Sequence, residues 1–172
     1  MDELTGLMRE SFDAAFSNVN AAFGEYFARL FAGGHAELVL SRPEEVLESG
    51  VDIVARPPGK RLQPLVSLSG GERALTMVAL IFALLKTNPA PFCVLDEVDA
   101  ALDESNVRRF TSVLAELSDR TQFVVVSHNR ATMESAQALY GISMDTVGVS
   151  TVVSLKLPDA RATSATNGTT ST

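Results

Sequence analysis

The chain has 172 residues, 46% hydrophobic and 20% charged, which suits one domain with its own core and excludes a disordered polymer. A formal charge of −7 excludes a polycation that coats nucleic acid by charge alone, and a single cysteine, Cys93, excludes an internal disulfide framework and fits a reducing cytosol. The longest apolar run, residues 77–85, is far short of the roughly 20 residues that cross a bilayer, and no basic segment precedes an apolar block, so neither a membrane span nor a signal peptide is expected.

Leu4, Met8, Phe12, Phe16, Val19, Phe23, Phe27 and Leu30 recur every three or four residues, which predicts one long helix ended by Gly33-Gly34. Gly24 inside it costs roughly 1 kcal/mol relative to alanine, so packing must hold the helix there. Extended segments follow at 36–40 and 51–55, separated by a short acidic helix or loop. Pro57-Pro58-Gly59 breaks regular structure, and 61–67 reads as a loop.

A helix over 70–86 is apolar on most sides and should be buried from more than one direction. Asn88-Pro89-Ala90-Pro91 stops it. Residues 92–95 and 122–126 read as fully buried strands on either side of a helix at 104–117. A short helix at 130–136 and a last strand at 149–157 complete the pattern; residues 159–172, rich in Ala, Thr and Ser, read as a disordered tail. Strands alternating with helices predict an α/β fold with a mostly parallel central sheet flanked by helices.

Three constellations carry chemistry. In Phe92-Cys93-Val94-Leu95-Asp96-Glu97 an apolar strand ends in adjacent carboxylates, at the strand end where open α/β sheets bind ligands. Asp96 there can hold Mg²⁺, and Glu97 can orient and deprotonate a water that attacks a phosphate; a plain polar loop is the bland alternative. In Leu68-Ser69-Gly70-Gly71-Glu72, Ser69 and Glu72 have capping-box spacing. The two glycines are costly in a first helical turn, and bare backbone there suits close approach of a phosphate to a positive helix terminus. In Val124-Val125-Val126-Ser127-His128-Asn129 a second apolar strand ends in a hydrogen-bonding side chain, His128.

Among the basic residues, Arg56, Lys60, Arg61 and Arg73 form either a solvated strip or a phosphate-tracking patch. His35, His128 and Cys93 are too few for a structural zinc site. The sequence holds no Gly-x-x-x-x-Gly-Lys-Ser/Thr loop, so a cradle for the α- and β-phosphates must come from outside these residues.

In order and spacing these segments resemble the ABC ATPases: 68–72 the signature motif, 93–97 Walker B, Ala101-Leu102-Asp103 the D-loop, and His128 the switch histidine. Asp96-Glu97-Val98-Asp99-Ala100-Ala101-Leu102-Asp103 is similar to the SMC (structural maintenance of chromosomes) proteins of bacteria, as are Pro57-Pro58-Gly59-Lys60 and Leu139-Tyr140-Gly141. The Val98-Asp99 dipeptide departs from the transporter ATPases.

The resemblance implies the C-terminal lobe of a split ATPase head. Residues 1–32 would root a returning coiled-coil arm, and 33–158 would form the lobe. The Walker A loop would lie on an N-terminal lobe of the same protein, and two heads would sandwich two ATP molecules. Ser69, Gly70 and Gly71, with Glu72, would meet ATP held by the opposite head, and Asp96 would serve Mg²⁺. Glu97 would polarise the attacking water, while His128 would bond the γ-phosphate. Asp103 would cross the interface, although capping the following helix explains it equally well.

Implied partners are that N-terminal lobe, a second head, the C-terminal winged-helix domain of a kleisin (ScpA in bacteria), and DNA, in the cytoplasm at the nucleoid. The last strand would be part of the kleisin surface. The competing readings are a non-catalytic kleisin-binding fragment and a related DNA-repair ATPase of RecN or RecF type.

Overall fold

The apolar stripe forms α1, Asp2–Phe31, in the computed structural model, which describes residues 2–144 and 148–157. The tail expected at 159–172 lies outside the described residues. The two halves of α1 lie in different surroundings. Leu4, Leu7 and Met8 are exposed, whereas Ala22, Phe23, Tyr26, Phe27 and Leu30 are buried. The helix ends one residue earlier than the glycines suggest. Ala32 itself takes the left-handed position at φ 55°, and the Gly33 N–H donates to the Ala28 carbonyl at 2.7 Å. Gly24 has a packing reason, since a Cβ there would stand 3.3 Å from the Ala36 carbonyl oxygen.

That close approach belongs to β1, His35–Leu40, which pairs antiparallel with β2, Val51–Arg56. Asn20 of α1 grips β1 from the side, accepting from the Leu38 N–H at 2.8 Å and donating back to the Leu38 carbonyl at 3.3 Å. The acidic connection contains a single 3-10 turn at Val46–Glu48. Part of the expected loop at 61–67 is ordered as β3, Gln63–Pro64, on the edge of β2.

The helix α2, Gly70–Thr87, buries Leu75, Val78, Ala79, Phe82, Ala83 and Leu85. Phe82 is central, stacked on Phe110 with centroids 5.8 Å apart and edge-on to Tyr26 at 5.9 Å. Burial comes from more than one direction, since α1 and α3 both pack on α2, but it is incomplete: Met77 and Leu84 are exposed. Phe110 lies on α3, Glu104–Leu117, which also buries Val107, Val113 and Leu114.

The expected mostly parallel central sheet is corrected. Parallel pairing is confined to β4, Phe92–Asp96, with β5, Gln122–Val126. The sheet β1–β2–β3 is antiparallel, as is a hairpin of β6, Ala138–Met144, and β7, Ser150–Lys156. The connection through α3 returns β5 in the same direction as β4, whereas the β1–β2 and β2–β3 connections carry no long crossover and reverse the chain. A five-residue helix, α4, Arg130–Glu134, separates β5 from β6, a strand the periodicity did not predict.

A second correction concerns β4 and β5, expected to be fully buried. Leu95 is buried, and Cys93, Phe123 and Val125 pack partly covered against the core, but Phe92, Val94, Val124 and Val126 are 61%, 58%, 48% and 51% exposed. With side chains alternating between faces, helices cover one face of the pair and leave the other bare. The hairpin is more open still, with Tyr140, Ile142, Met144, Val152, Val153 and Leu155 all exposed. Two strands alone are at best marginally stable in water.

Two substitutions in the 172-residue chain should separate covered from uncovered sites. Phe82→Ala removes a fully buried ring and should lower unfolding free energy by about 3–5 kcal/mol. Val94→Ser on the bare face should cost less than about 0.5 kcal/mol. Urea denaturation followed by circular dichroism measures both.

Candidate functional site

β4 and β5 pair in register, with Asp96 opposite Val126, so the segments leaving them emerge at one edge. The Glu97 N–H continues the ladder by donating to the Val126 carbonyl at 2.9 Å. Glu97 then turns out of the strand with φ 49°. A non-glycine residue in the left-handed region costs on the order of 1 kcal/mol or more, and such strain clusters at functional sites. Asp96, Glu97 and His128 are all exposed. None of the three side chains has a hydrogen bond or ion pair among the described residues. Two carboxylates and an imidazole therefore stand open to solvent at neighbouring strand ends.

The loop after Glu97 is tightly folded. The Ala100 N–H donates to the Glu97 carbonyl and the Leu102 N–H to the Asp99 carbonyl, each at 3.1 Å. Asp99 is 1% exposed, and its Oδ2 accepts from the hydroxyls of Ser127 and Thr132. An acid two residues beyond an acidic pair has the pattern of a solvated loop, and nothing in the spacing signals its burial. The loop ends at Asp103, whose Oδ1 caps α3 by accepting from the Asn106 N–H at 2.9 Å and the Ser105 hydroxyl at 2.7 Å. These two donors, the Asn106 amide first, hold its carboxyl below the usual range. The local explanation for Asp103 is thus fully realised.

At the head of α2 the capping box is complete. Glu72 Oε2 accepts from the Ser69 N–H at 3.0 Å and the Ser69 hydroxyl at 2.8 Å, while the Glu72 N–H donates to Ser69 Oγ at 3.4 Å. Lys60 Nζ sits 2.8 Å from Glu72 Oε1 and donates to Oε2 at 3.0 Å. Lys60, followed by the Ser69 hydroxyl and amide, holds the Glu72 carboxyl below its ordinary range. Arg73 donates to the carbonyls of Val66 and Leu68, each at 3.2 Å. Two of the four basic positions considered for a phosphate-tracking patch are therefore occupied within the chain.

The two glycines divide their work. A Cβ at Gly70 would meet nothing within 4 Å, which leaves its backbone open to a ligand. A Cβ at Gly71 would stand 2.8 Å from the Ala101 carbonyl oxygen, so Gly71 is required by the protein's own loop. Bare backbone for a ligand accounts only for Gly70. The same contact seats the Ser69–Glu72 segment against loop 97–103, and through that loop all three constellations meet.

No group of three metal-ligating side chains occurs among the described residues. Asp96 alone suits a hard cation such as Mg²⁺, which takes one or two carboxylates and completes its shell with water and phosphate oxygens. Cys93 belongs to packing, and burial raises its thiol pKa. A hollow of about 360 Å³ lies between α1 and α2, lined by Asn18, Ala21, Ala22, Glu25, Lys86 and Thr87, away from the strand ends. The candidate catalytic groups thus lie on an open surface, as one side of a site would.

The Glu72 box carries a pH signature. A carboxyl with a lowered folded pKa stabilises the fold fully above its unfolded value near about 4.3 and loses that contribution as pH falls through the folded value. Glu72→Gln should cost about 1 kcal/mol at pH 7 and flatten the fall in thermal midpoint below about pH 4.5. Melting curves at pH 7, 5, 4 and 3 measure this.

The family model described as "RecF/RecN/SMC N terminal domain" matches residues 8–151. The chromosome partition protein Smc of Bacillus subtilis (strain 168) is 51% identical over 161 residues, covering 94% of this chain and 14% of that protein. The chain therefore spans about one seventh of the length of that curated relative. A solved SMC head bound to the C-winged helix domain of ScpA superposes with a TM-score of 0.82 at 42% identity, over 87% of this chain and 46% of that one. A chain from structural work on the ATP-driven dimerisation and DNA-stimulated activation of SMC ATPases superposes with a TM-score of 0.77 at 40% identity, over 90% of this chain and 93% of that one. The chain belongs to the RecF/RecN/SMC family and has the α/β fold of an SMC head.

Proposed function

We propose that this chain is the C-terminal lobe of an SMC ATPase head and contributes half of an ATP-hydrolysing site used in chromosome segregation. The observation that carries the reading is the pair of in-register parallel strands ending on Asp96-Glu97 and Ser127-His128, with one apolar face bare. Parallel strands are normally covered on both faces, so Phe92, Val94, Val124 and Val126 suit a docking lobe. The family description speaks of an N-terminal domain. The assignment to the C-terminal lobe rests instead on the motifs present and on the lack of a Gly-x-x-x-x-Gly-Lys-Ser/Thr loop in these residues. It also agrees with the 46% of the ScpA-bound head that the chain spans.

In this reading each residue has a task. Glu97 orients a water and accepts its proton as the water attacks the γ-phosphate of ATP. His128 donates a hydrogen bond to a γ-phosphate oxygen and stabilises its developing charge. Asp96 holds Mg²⁺, which supplies charge neutralisation at the phosphates. Across a head–head interface, the Ser69 hydroxyl leaves Glu72 and donates to the γ-phosphate of the opposite nucleotide, joined by the open N–H of Gly70 at the positive end of α2. Gly71 and Glu72 keep that turn in place. Asp103 borders the same interface.

The exposed start of α1, with Leu4, Leu7 and Met8, roots the coiled-coil arm within residues 1–32, and 33–158 form the lobe. The hairpin β6–β7 offers its apolar residues to the winged-helix domain of a kleisin such as ScpA. DNA would join the assembled complex at the nucleoid. That docking is also what a non-catalytic kleisin-binding fragment would do. The open strand-end carboxylates favour the catalytic reading over it, and the close similarity to Smc favours it over a RecN or RecF type.

The chain alone should show negligible ATPase activity, and adding a lobe that carries the phosphate-binding loop should restore it. In the restored enzyme Glu97→Gln should lower turnover by about 100-fold or more while ATP-dependent head joining persists. Full turnover in that variant would remove Glu97 from its role. Val94→Ser should weaken association of the two lobes by about tenfold, measured by titration calorimetry.

A further inference from the structure

The described catalytic roles leave out Asp99, the most deeply buried charged side chain among the described residues. Burying a carboxylate is costly unless hydrogen bonds replace its hydration, and a position needing only volume would be filled by an apolar or amide side chain. Oδ2 accepts from Ser127 Oγ at 2.5 Å and from Thr132 Oγ1, while Oδ1 is buried with no hydrogen-bond partner among the described residues. The two hydroxyls stand on either side of His128, one immediately before it and the other on α4. Ser127 Oγ also accepts from the Asn129 N–H at 2.9 Å, so the whole turn bearing His128 is drawn onto one carboxylate oxygen.

On its own side, Asp99 lies two residues after Glu97 and two before Ala101, the residue against which Gly71 is packed. A shift of the His128 turn therefore pulls on the segment that carries Glu97 and braces the head of α2.

We propose that Asp99 is a positioning residue that sets the spacing between Glu97 and His128 and ties both to the Ser69–Glu72 helix start. It touches neither the phosphate nor the attacking water. Its kinetic consequence rests on the ATPase-lobe reading; its mechanical consequence does not.

Both are testable. In the enzyme restored by a lobe bearing the phosphate loop, Asp99→Ala should lower kcat by about tenfold or more while KM for ATP and ATP-dependent head joining stay within about twofold. Thr132→Val, which removes one donor, should lower kcat by about threefold, and Asp99→Asn, which keeps an acceptor oxygen, should stay within about threefold of the parent. A residue that merely supports the fold would move KM and thermal midpoint together with kcat, and that pattern would overturn the proposal.

In the 172-residue chain without nucleotide, Asp99→Ala should speed amide hydrogen exchange at Asn129 and Leu102 by about tenfold and leave Phe82 and Phe110 unchanged. Unchanged exchange in both segments would overturn it whether or not activity can be restored. If the parent chain never gains activity, the ATPase reading fails and exchange alone decides the coupling. Should Asp99→Ala not fold, Thr132→Val carries the same two measurements.

Discussion

In-register parallel pairing of β4 with β5 is the constraint on which the candidate site depends. Parallel strands run the same way, so the residues following both reach solvent at one edge, and registry puts Glu97 directly beyond Val126. A one-residue slip of β4 would exchange the core side chain Leu95 for an exposed neighbour such as Val94 and move the acidic pair along the strand relative to the histidine. The buried side chains on one face thus fix the positions of the polar ones at the end. The left-handed backbone of Glu97 is tolerated because the ladder holds its N–H on one side and the Ala100 turn holds its carbonyl on the other.

The same economy appears around α2. Its head abuts the Ala101 carbonyl at Gly71, and its body is gripped by Tyr26 of α1 and Phe110 of α3 through Phe82. Lys86 pairs with Glu25 and Arg29 with Glu116, each at 2.7 Å, linking α1 to α2 and α3. These pairs are substantially exposed and contribute modestly, so the aromatic stack supplies most of the hold. The Tyr26 hydroxyl, buried without a partner among the described residues, shows that ring packing outweighs hydrogen bonding at this junction.

Capping and the proposed phosphate contact draw on the same groups at Ser69. Its hydroxyl already donates to Glu72, and Lys60 keeps that carboxylate charged. A phosphate arriving at the turn would have to compete with an acceptor in place. The segment is ordered without any ligand, which would lower the conformational cost of the proposed contact.

Sequence alone determined the helices and singled out the candidate site residues, because periodicity, capping spacing and strand-end polarity are local properties of the chain. The long helix, the capping box at Ser69 and the α3 span 104–117 were legible for that reason. Burial was not legible: the segments 92–95 and 122–126 read as buried on both faces, since an apolar run looks the same whether its cover lies in this chain or elsewhere. Sheet direction and β6 were hidden because pairing depends on distant residues. Tertiary structure alone decided that Gly71 serves Ala101 and that Asp99 is buried on two hydroxyls, since both follow from contacts across 28 to 33 residues of chain.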